Sequence, residues 1–196
     1  MGQRIAVFGG TFDPPHIGHL VVASEVRHRC GFDAVLLMVA NDPWQKRSTR
    51  LITPAADRLA MVEAAVDGHD GLVASAMEIG RGGPTYTIDT VEELLAADPS
   101  GSVSLVMGAD AVAGLPTWHR SDELRDTVDV VAVSRPGHPP IAQLPRWRVT
   151  VVDVPAIDVS STDLRNRCSA GIPIDFLVPD VVRSEILGRG LYGVRR

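Results

Sequence analysis

The chain has 196 residues with 24 acidic and 19 basic side chains, and its net charge of −5 argues against general nucleic-acid binding, which favours a basic surface. Its apolar runs are shorter than a membrane span and it enters an apolar strand without a signal-peptide pattern, so we expect a cytoplasmic protein with no membrane partner. The length predicts one domain over residues 1–196, and the isolated Cys30 and Cys168 lack the paired spacing of a zinc site.

The first thirty residues predict a strand, a Gly-rich turn and a helix. Residues 4–8 are apolar and β-branched, which is typical of a buried strand, and residues 20–26 predict a helix. Gly9 and Gly10 between them favour a tight turn and the close approach of a ligand. This arrangement is the opening of a βαβ unit.

The rest of the turn carries groups suited to phosphate. Pro14 and Pro15 favour the start of a helix, whose free N–H groups and partial positive charge attract anions. His16 and His19 are three positions apart, so that they share one face of a helical turn. Two imidazoles there can donate hydrogen bonds to phosphoryl oxygens as charge builds on them.

The remainder of the chain alternates predicted strands and helices. Strands are predicted at residues 34–39, 72–77, 103–107, 128–133 and 149–153. Helices are predicted from Thr53 as the cap and Pro54 as the first residue to about Asp67, from residues 85–90 to about Ala97, after the hydroxyl-rich cap at Ser160, and from Pro179 to about Gly188. This alternation predicts an α/β fold with a Rossmann-like, doubly wound and mainly parallel sheet.

Several loops at the carboxyl edge of this sheet carry candidate ligand groups. Lys46, the only lysine in the chain, follows the second strand and either binds phosphate or is a solvated loop residue. Asp110, after Gly108, suits ribose hydroxyls or simply begins a helix. Trp118 offers an aromatic face to a flat heterocycle or belongs to the core.

Two further stretches suit anions. Free N–H groups at the helix start near Thr87 favour a carboxylate, although plain capping explains these threonines as well. Residues 160–165 (Ser-Ser-Thr-Asp-Leu-Arg) combine hydroxyls, a helix start and an arginine one turn later, which makes an anion site or an ordinary cap with a surface arginine. Arg135, which follows the predicted strand at residues 128–133, is by itself typical of a surface arginine.

The string from Gly9 to His19, GGTFDPPHIGH, resembles the motif of the nucleotidyltransferase superfamily with the T/HxGH sequence. The doubled glycine, the Phe-Asp-Pro and the first histidine are similar to bacterial nicotinate-mononucleotide adenylyltransferases. The later stretches, from Thr85-Tyr86-Thr87 to Ser160–Arg165, follow in the order of that family. One departure stands at residues 43–46, which read Pro-Trp-Gln-Lys where many relatives have Pro-Pro-His-Lys.

The resemblance implies roles for individual residues. Catalytic roles fall to His16, His19, Lys46 and Arg165. ATP binding falls to Gly9, Gly10, Thr11, Phe12, His16, His19, Gly108, Asp110, Arg135, Ser161, Thr162 and Arg165. Mononucleotide binding falls to Thr11, Lys46, the backbone of Thr87 and Ile88, Asp110, Trp118 and His119.

The implied reaction is adenylyl transfer from ATP to nicotinate mononucleotide. Mg²⁺ accompanies the ATP and is held largely by phosphate oxygens and water, so no protein metal ligands are expected. Alternatives are the same chemistry with nicotinamide mononucleotide or phosphopantetheine as acceptor, or a nucleotide-binding sensor without catalysis. An oxidoreductase is disfavoured because the Gly-Gly turn lacks GxGxxG spacing. Both a monomer and a homodimer remain open.

Overall fold

The sheet has six strands in the computed structural model, which describes residues 2–42, 51–134 and 144–194. The strands are β1 (Arg4–Gly10), β2 (Ala34–Val39), β3 (Leu72–Ser75), β4 (Ser102–Gly108), β5 (Asp129–Ser134) and β6 (Val149–Asp153). Their order is β3-β2-β1-β4-β5-β6, and every neighbouring pair is parallel. The predicted Rossmann-like α/β fold is confirmed.

Helices connect these strands over both faces of the sheet. They are α1 (Ile17–Cys30), α2 (Ala55–Val66), α3 (Met77–Arg81), α4 (Thr87–Ala97), α5 (Ala109–Val112), α6 (Ser121–Thr127), α7 (Ser161–Ala170) and α8 (Asp180–Arg189). Two 3-10 turns cover Leu115–Thr117 and Leu191–Gly193. Among the helices of the described segments, none is both long and apolar enough to cross a bilayer.

The strand order reverses direction between β1 and β4. From β1 the chain moves outward through β2 to β3, and then returns to place β4 on the other side of β1. Phe8 of β1 lies opposite Leu37 on one side and Val106 on the other. The loops after β1 and β4 therefore leave the carboxyl edge at a switch point, which is where open α/β sheets bind ligands.

Successive residues of the central strands pack into different layers. Ala6 belongs to the cluster that contains Val26 of α1 and Val62 of α2. Val7, the next residue, packs on the opposite face with Val91 of α4. The buried central strands thus read as continuous apolar runs because both faces are covered.

A separate apolar cluster attaches the last two helices to α2. Leu164 of α7 and Ile186 of α8 are fully buried in it beside Met61 of α2. This packing holds the N-terminal end of α7 close to the loop that follows β1. The prediction of one domain over residues 1–196 remains a prediction.

Several predicted boundaries were wrong. Helix α8 begins at Asp180, with Pro179 as its cap in extended backbone at ψ 147°. Helix α2 begins at Ala55 with Pro54 as its cap, because the ψ of Pro54 is 142° and its carbonyl already accepts from Arg58 N–H at 3.1 Å. Strand β3 ends at Ser75 and Met77 begins α3, since the Ser75 hydroxyl accepts from the Met77 N–H at 3.4 Å.

Candidate active site

The loop of residues 11–16, called the motif loop below, connects β1 to α1. Its polar residues are buried, with exposed fractions of 9% for Thr11, 1% for Asp13 and 4% for His16. A polar loop that is removed from water needs hydrogen-bond partners inside the protein. Side chains from distant parts of the chain supply them.

Helix α7 provides two of these partners. Ser161 donates from its hydroxyl to the Pro14 carbonyl at 2.8 Å, and Arg165 donates from Nη1 to the Asp13 carbonyl at 2.7 Å. The cap is as predicted, because the Ser160 hydroxyl accepts from the Asp163 N–H at 3.1 Å. The structure thus brings the predicted anion site at α7 directly against the motif loop.

Two further partners come from α2 and from the last 3-10 turn. Arg58 donates from Nη1 to the Thr11 carbonyl at 2.8 Å. Tyr192 donates from its hydroxyl to Oδ1 of Asp13, also at 2.8 Å. The motif loop is therefore held by hydrogen bonds from groups far away in the sequence.

The two histidines stack at the beginning of α1. Their ring centroids are 3.6 Å apart and the ring planes are inclined by 25°. His16 has extended backbone at the cap position, and its N–H donates to His19 Nδ1 at 3.1 Å. Because Nδ1 of His19 accepts a hydrogen bond, a neutral His19 ring carries its proton on Nε2.

The stacked pair confirms the predicted shared face but corrects the reason for it. Helix α1 begins at Ile17, so Pro14 and Pro15 lie in the loop before the helix and do not start it. The Asp13–Pro14 peptide is cis. His16 reaches His19 from the cap position, because α1 starts one residue after it.

The glycines of the motif also act differently from the prediction. Neither Gly9 nor Gly10 has a positive φ, and the left-handed residue of the turn is Phe12, at φ 50°. A Cβ on Gly10 would lie 2.7 Å from the Phe12 ring, whereas the space beside Gly9 is open. Gly10 therefore makes room for Phe12, whose ring centroid lies 5.0 Å from that of His19 in a T-shaped arrangement. The close approach of a ligand to the backbone of either glycine stays a prediction.

A third glycine, which the sequence reasoning missed, fits against His16. A Cβ on Gly18 would lie 3.1 Å from Nδ1 of His16 and 3.2 Å from Cγ1 of Val159. Real Cβ atoms seldom make contacts this short, so the ring of His16 occupies space that any larger residue would take.

The proposed mononucleotide contacts begin at α4. Thr87 and Ile88 are its first two residues, and N–H groups in the first turn of a helix have no intrahelical partner. The side chain of Ile88 is 1% exposed, which leaves only its backbone for a ligand. The cap position belongs to Tyr86 rather than to either threonine.

Residues of α3 bind the first turn of α4. Thr90 donates from its hydroxyl to Oε1 of Glu78 at 3.3 Å, and Arg81 donates from Nη1 to the same hydroxyl at 3.1 Å. Burial raises the pKa of the Glu78 carboxyl, and hydrogen bonds from Thr85 and Thr90 partly offset that rise.

The predicted Thr-Trp-His stretch approaches α4 from the other side. The ring of His119 lies 4.2 Å from the ring of Tyr86. Trp118 is half-buried and packs against two core clusters, which include Leu105 and Leu115. The structure thus brings Thr87, Ile88, Trp118 and His119 into one region, with Trp118 partly in the core.

Some predicted site residues fall outside the description. Lys46 and Arg135 lie outside the described residues, as does the side chain of Asp110. The backbone of Asp110 lies in α5, directly after Gly108, the last residue of β4. Within the described segments, no three His, Cys, Asp or Glu side chains form a group that could hold a metal ion.

The structure adds two site residues that the sequence reasoning missed, Arg58 and Tyr192. Arg58 precedes Val62 and Val66 by four and eight positions, so it stands on the inner stripe of α2. A charged residue on an apolar stripe was an available signal. Tyr192 gave no such signal, because its partner Asp13 is 179 positions away.

Comparison with known proteins identifies the family to which the chain belongs. The Cytidylyltransferase-like family model matches residues 7–167, from β1 into α7, which defines the chain as a nucleotidyltransferase of that class. The probable nicotinate-nucleotide adenylyltransferase of Saccharopolyspora erythraea is 42% identical over 191 residues, which are 97% of this chain and 90% of that protein. The probable nicotinate-nucleotide adenylyltransferase of Streptomyces coelicolor is 44% identical over 185 residues, which are 94% of this chain and 98% of that protein.

Solved structures share the fold at lower identity. Plasmodium falciparum nicotinic acid mononucleotide adenylyltransferase complexed with NaAD aligns with a TM-score of 0.81 at 17% identity, over 98% of each chain. The chain belongs to the nicotinate-nucleotide adenylyltransferase family, as its close relatives over nearly its whole length show. The resemblance carried by the GGTFDPPHIGH string is thereby confirmed.

Proposed function

We propose that the chain transfers AMP from ATP to nicotinate mononucleotide and forms nicotinate adenine dinucleotide and pyrophosphate. The observation that carries this proposal is the stacked His16–His19 pair at the start of α1, next to the hydroxyl-rich start of α7. Family membership supports the same reaction.

The reaction requires the protein mainly to position the two reactants and to stabilise the negative charge on the phosphoryl oxygens. The 5′-phosphate of the mononucleotide attacks the α-phosphorus of ATP, and the bond to the pyrophosphate oxygen breaks. A phosphate monoester is already largely dianionic near pH 7, so the attack needs no general base. His16 and His19 donate hydrogen bonds to the phosphoryl oxygens, where negative charge grows in the transition state.

The triphosphate is assigned to the N-terminal end of α7. Thr162 and Arg165 supply hydroxyl and guanidinium donors there, and Arg165 also holds the motif loop through the Asp13 carbonyl. Ser161, whose hydroxyl donates to the Pro14 carbonyl, would offer its backbone N–H at the first position of α7. Gly9 and Gly108 lie at the carboxyl ends of β1 and β4, the strands at the switch point, and Lys46 and Arg135 are proposed as further phosphate contacts. Mg²⁺ would come with ATP and neutralise phosphate charge, and phosphate oxygens and water suit its preference for oxygen ligands.

The pyridine end is assigned to the start of α4. The free N–H groups of Thr87 and Ile88 suit the carboxylate of nicotinate better than the amide of nicotinamide, because a helix N-terminus favours negative charge. Trp118 would stack on the ring, with His119 beside it. Thr11 and Asp110 are proposed to contact the ribose-phosphate part between the two ends.

The test is pyrophosphate release from ATP and Mg²⁺ with nicotinate mononucleotide, nicotinamide mononucleotide or phosphopantetheine as acceptor. We expect fast release with the nicotinate compound. Release only with another acceptor would discard the assigned pyridine site. Binding of ATP without release in any mixture would favour the sensor.

A pair of histidine variants tests the catalytic assignment. His16→Ala should lower kcat by roughly 10²-fold or more, as loss of a transition-state donor does. His28→Ala is the matched control, since His28 is an exposed residue of the same helix. Near-normal turnover of the His16 variant would contradict the assignment.

A further inference from the structure

Arg58 is a buried cation that binds three separate segments of backbone. It is 1% exposed and has the largest side chain among the fully buried ones that the structure describes. Its Nη1 donates to the Thr11 carbonyl at 2.8 Å, its Nε to the Thr53 carbonyl at 2.9 Å and its Nη2 to the Asn41 carbonyl at 3.2 Å. All three bonds start from one planar group.

The three carbonyls lie on two connections at the edge of the sheet where the site lies, the one after β1 and the one between β2 and α2. Thr11 follows β1, Asn41 follows β2, and Thr53 precedes α2. A planar guanidinium donates in fixed directions, so it fixes the separation of the loops that it joins. A lysine ammonium keeps the charge but lacks the fork that spans the three acceptors.

The connection continues from Asn41 to the pyridine side. Asn41 donates from its side-chain Nδ2 to the Gly83 carbonyl at 3.3 Å. Gly83 has a φ of 67° and lies in the turn that leads to Thr87. The motif loop and the segment before α4 are therefore connected through one arginine and one asparagine.

We propose that Arg58 is a positioning residue for adenylyl transfer, which sets the distance between the motif loop and the segment that holds the mononucleotide. Through Thr11 it places the phosphates of ATP, and through Asn41 and Gly83 it places the acceptor. This role rests on the proposed function. Arg58 contacts protein carbonyls, and it acts on the reaction through the loops that it holds.

The role predicts a particular separation of kinetic effects. In-line attack needs both reactants at the right distance, and a displacement of about 1 Å can cost up to 10²-fold in rate. Each half of the site, however, keeps its own contacts when the link between the halves loosens. Loss of the link should therefore lower kcat more than it weakens the binding of either substrate alone.

The experiment compares Arg58→Lys with the wild type and with Arg125→Lys. Arg125 is an 8% exposed arginine of α6, bound to Asp122 and Asp126, and serves as the matched control. For Arg58→Lys we expect kcat to fall by about tenfold or more. Calorimetric titration should still show one site per chain, with the Kd of ATP–Mg²⁺ and of nicotinate mononucleotide each within about threefold of wild type.

Several results would overturn the proposal. An unchanged kcat in Arg58→Lys would do so, and so would a loss of kcat matched by an equal loss of binding stoichiometry, which indicates a merely structural role. Wild-type protein without turnover would overturn the proposed function and this role with it. Turnover in the wild type together with an unaffected variant overturns the positioning role alone.

A second variant tests the same link if Arg58→Lys fails to fold. Asn41→Ala removes the half-exposed amide that reaches Gly83 and leaves the Asn41 carbonyl in place. We expect kcat to fall severalfold, with the Kd of ATP–Mg²⁺ and of nicotinate mononucleotide each within about threefold of wild type. A wild-type kcat would overturn the proposed link.

Discussion

The hydroxyl of Tyr192 donates a 2.8 Å hydrogen bond to Oδ1 of Asp13, which lies in the motif loop and is 1% exposed. Burial, and then the charge of Asp13, raises the pKa of Tyr192 above its ordinary value. The phenol therefore stays protonated at neutral pH and remains a donor. Its ring belongs to the cluster of Met61 and Leu164, so the same residue packs and caps the motif loop.

Tyr192→Phe isolates the hydrogen bond from the packing. The variant leaves a buried carboxylate short of one donor, which costs about 1–3 kcal/mol of the free energy of unfolding. Urea denaturation measures this loss. Tyr86→Phe, at a tyrosine that is exposed, should change the same quantity by less than about 0.5 kcal/mol. Equal midpoints for the wild type and Tyr192→Phe would refute the expected loss.

Gly18→Ala should disturb His16 without touching a substrate. The new Cβ would lie 3.1 Å from His16 Nδ1 and 3.2 Å from Cγ1 of Val159, so the ring must move by a few tenths of an ångström. We expect kcat to fall by about tenfold, because small displacements of a donor are costly in the transition state. Steady-state kinetics of purified, folded protein measure the effect.

Gly80→Ala is the control for Gly18→Ala. Gly80 lies in α3, and its missing Cβ would meet nothing within 4 Å. Its turnover should equal that of the wild type, and alanine there stabilises the helix by up to about 1 kcal/mol. If both variants turn over at the wild-type rate, the fit between Gly18 and His16 has no catalytic role.

Glu78 makes the stability of the protein depend on pH in a defined direction. Burial raises the pKa of this carboxyl above its ordinary 4.5. At pH values between 4.5 and the raised pKa, the folded state therefore binds more protons than the unfolded state. The free energy of unfolding then falls as the pH rises through this window. Glu78→Gln removes this slope and should gain stability relative to the wild type as the pH rises.

Asp98 makes the free energy of unfolding depend on pH in the opposite direction. The N–H of Gln3 donates to Oδ2 of Asp98 at 2.8 Å and lowers the pKa of that carboxyl. Its stabilising contribution is present above the unfolded pKa and is lost as the pH falls. Asp98→Asn should therefore lose stability relative to the wild type as the pH rises. Denaturation at several pH values would contradict the Glu78 assignment if both variants showed the same slope.

Trp118 should report nicotinate mononucleotide directly. In a variant that keeps Trp118 and replaces Trp44 and Trp147 by phenylalanine, the mononucleotide should quench the fluorescence to saturation. Trp118→Leu should raise KM for the mononucleotide by up to about tenfold, since an aromatic stack contributes about 0.5–1.5 kcal/mol. A variant that keeps only Trp147 should show no saturable quenching. If the variant that keeps only Trp147 shows saturable quenching instead, the assigned pyridine site is wrong.

Local sequence patterns predicted most of the fold. β2 and β6 lie where their apolar runs predict, and Ser160 caps α7 as its hydroxyl suggests. The wrong boundaries have local causes that a pattern does not contain, such as the extended ψ of Pro54.

The sequence predicted which residues belong to the candidate site, but it did not predict which of them contact one another. The motif named His16 and His19, and it implied Ser161 and Arg165 by resemblance. It could not show that Arg165 and Ser161 donate to the backbone of the motif loop, because those bonds join residues about 150 positions apart. Likewise, only the folded chain shows that Gly10 makes room for Phe12.

The anchors of the motif loop have a consequence for the order of folding. Its partners come from residues 58, 161, 165 and 192, whereas the loop itself ends at residue 16. A nascent chain emerging from the ribosome thus exposes the loop early and completes its support only after residue 192 has been synthesised. Contacts so distant in sequence form late and slow the search for the native state. A polypeptide halted before that residue would carry the whole motif but lack the hydrogen bond from Tyr192 to Asp13.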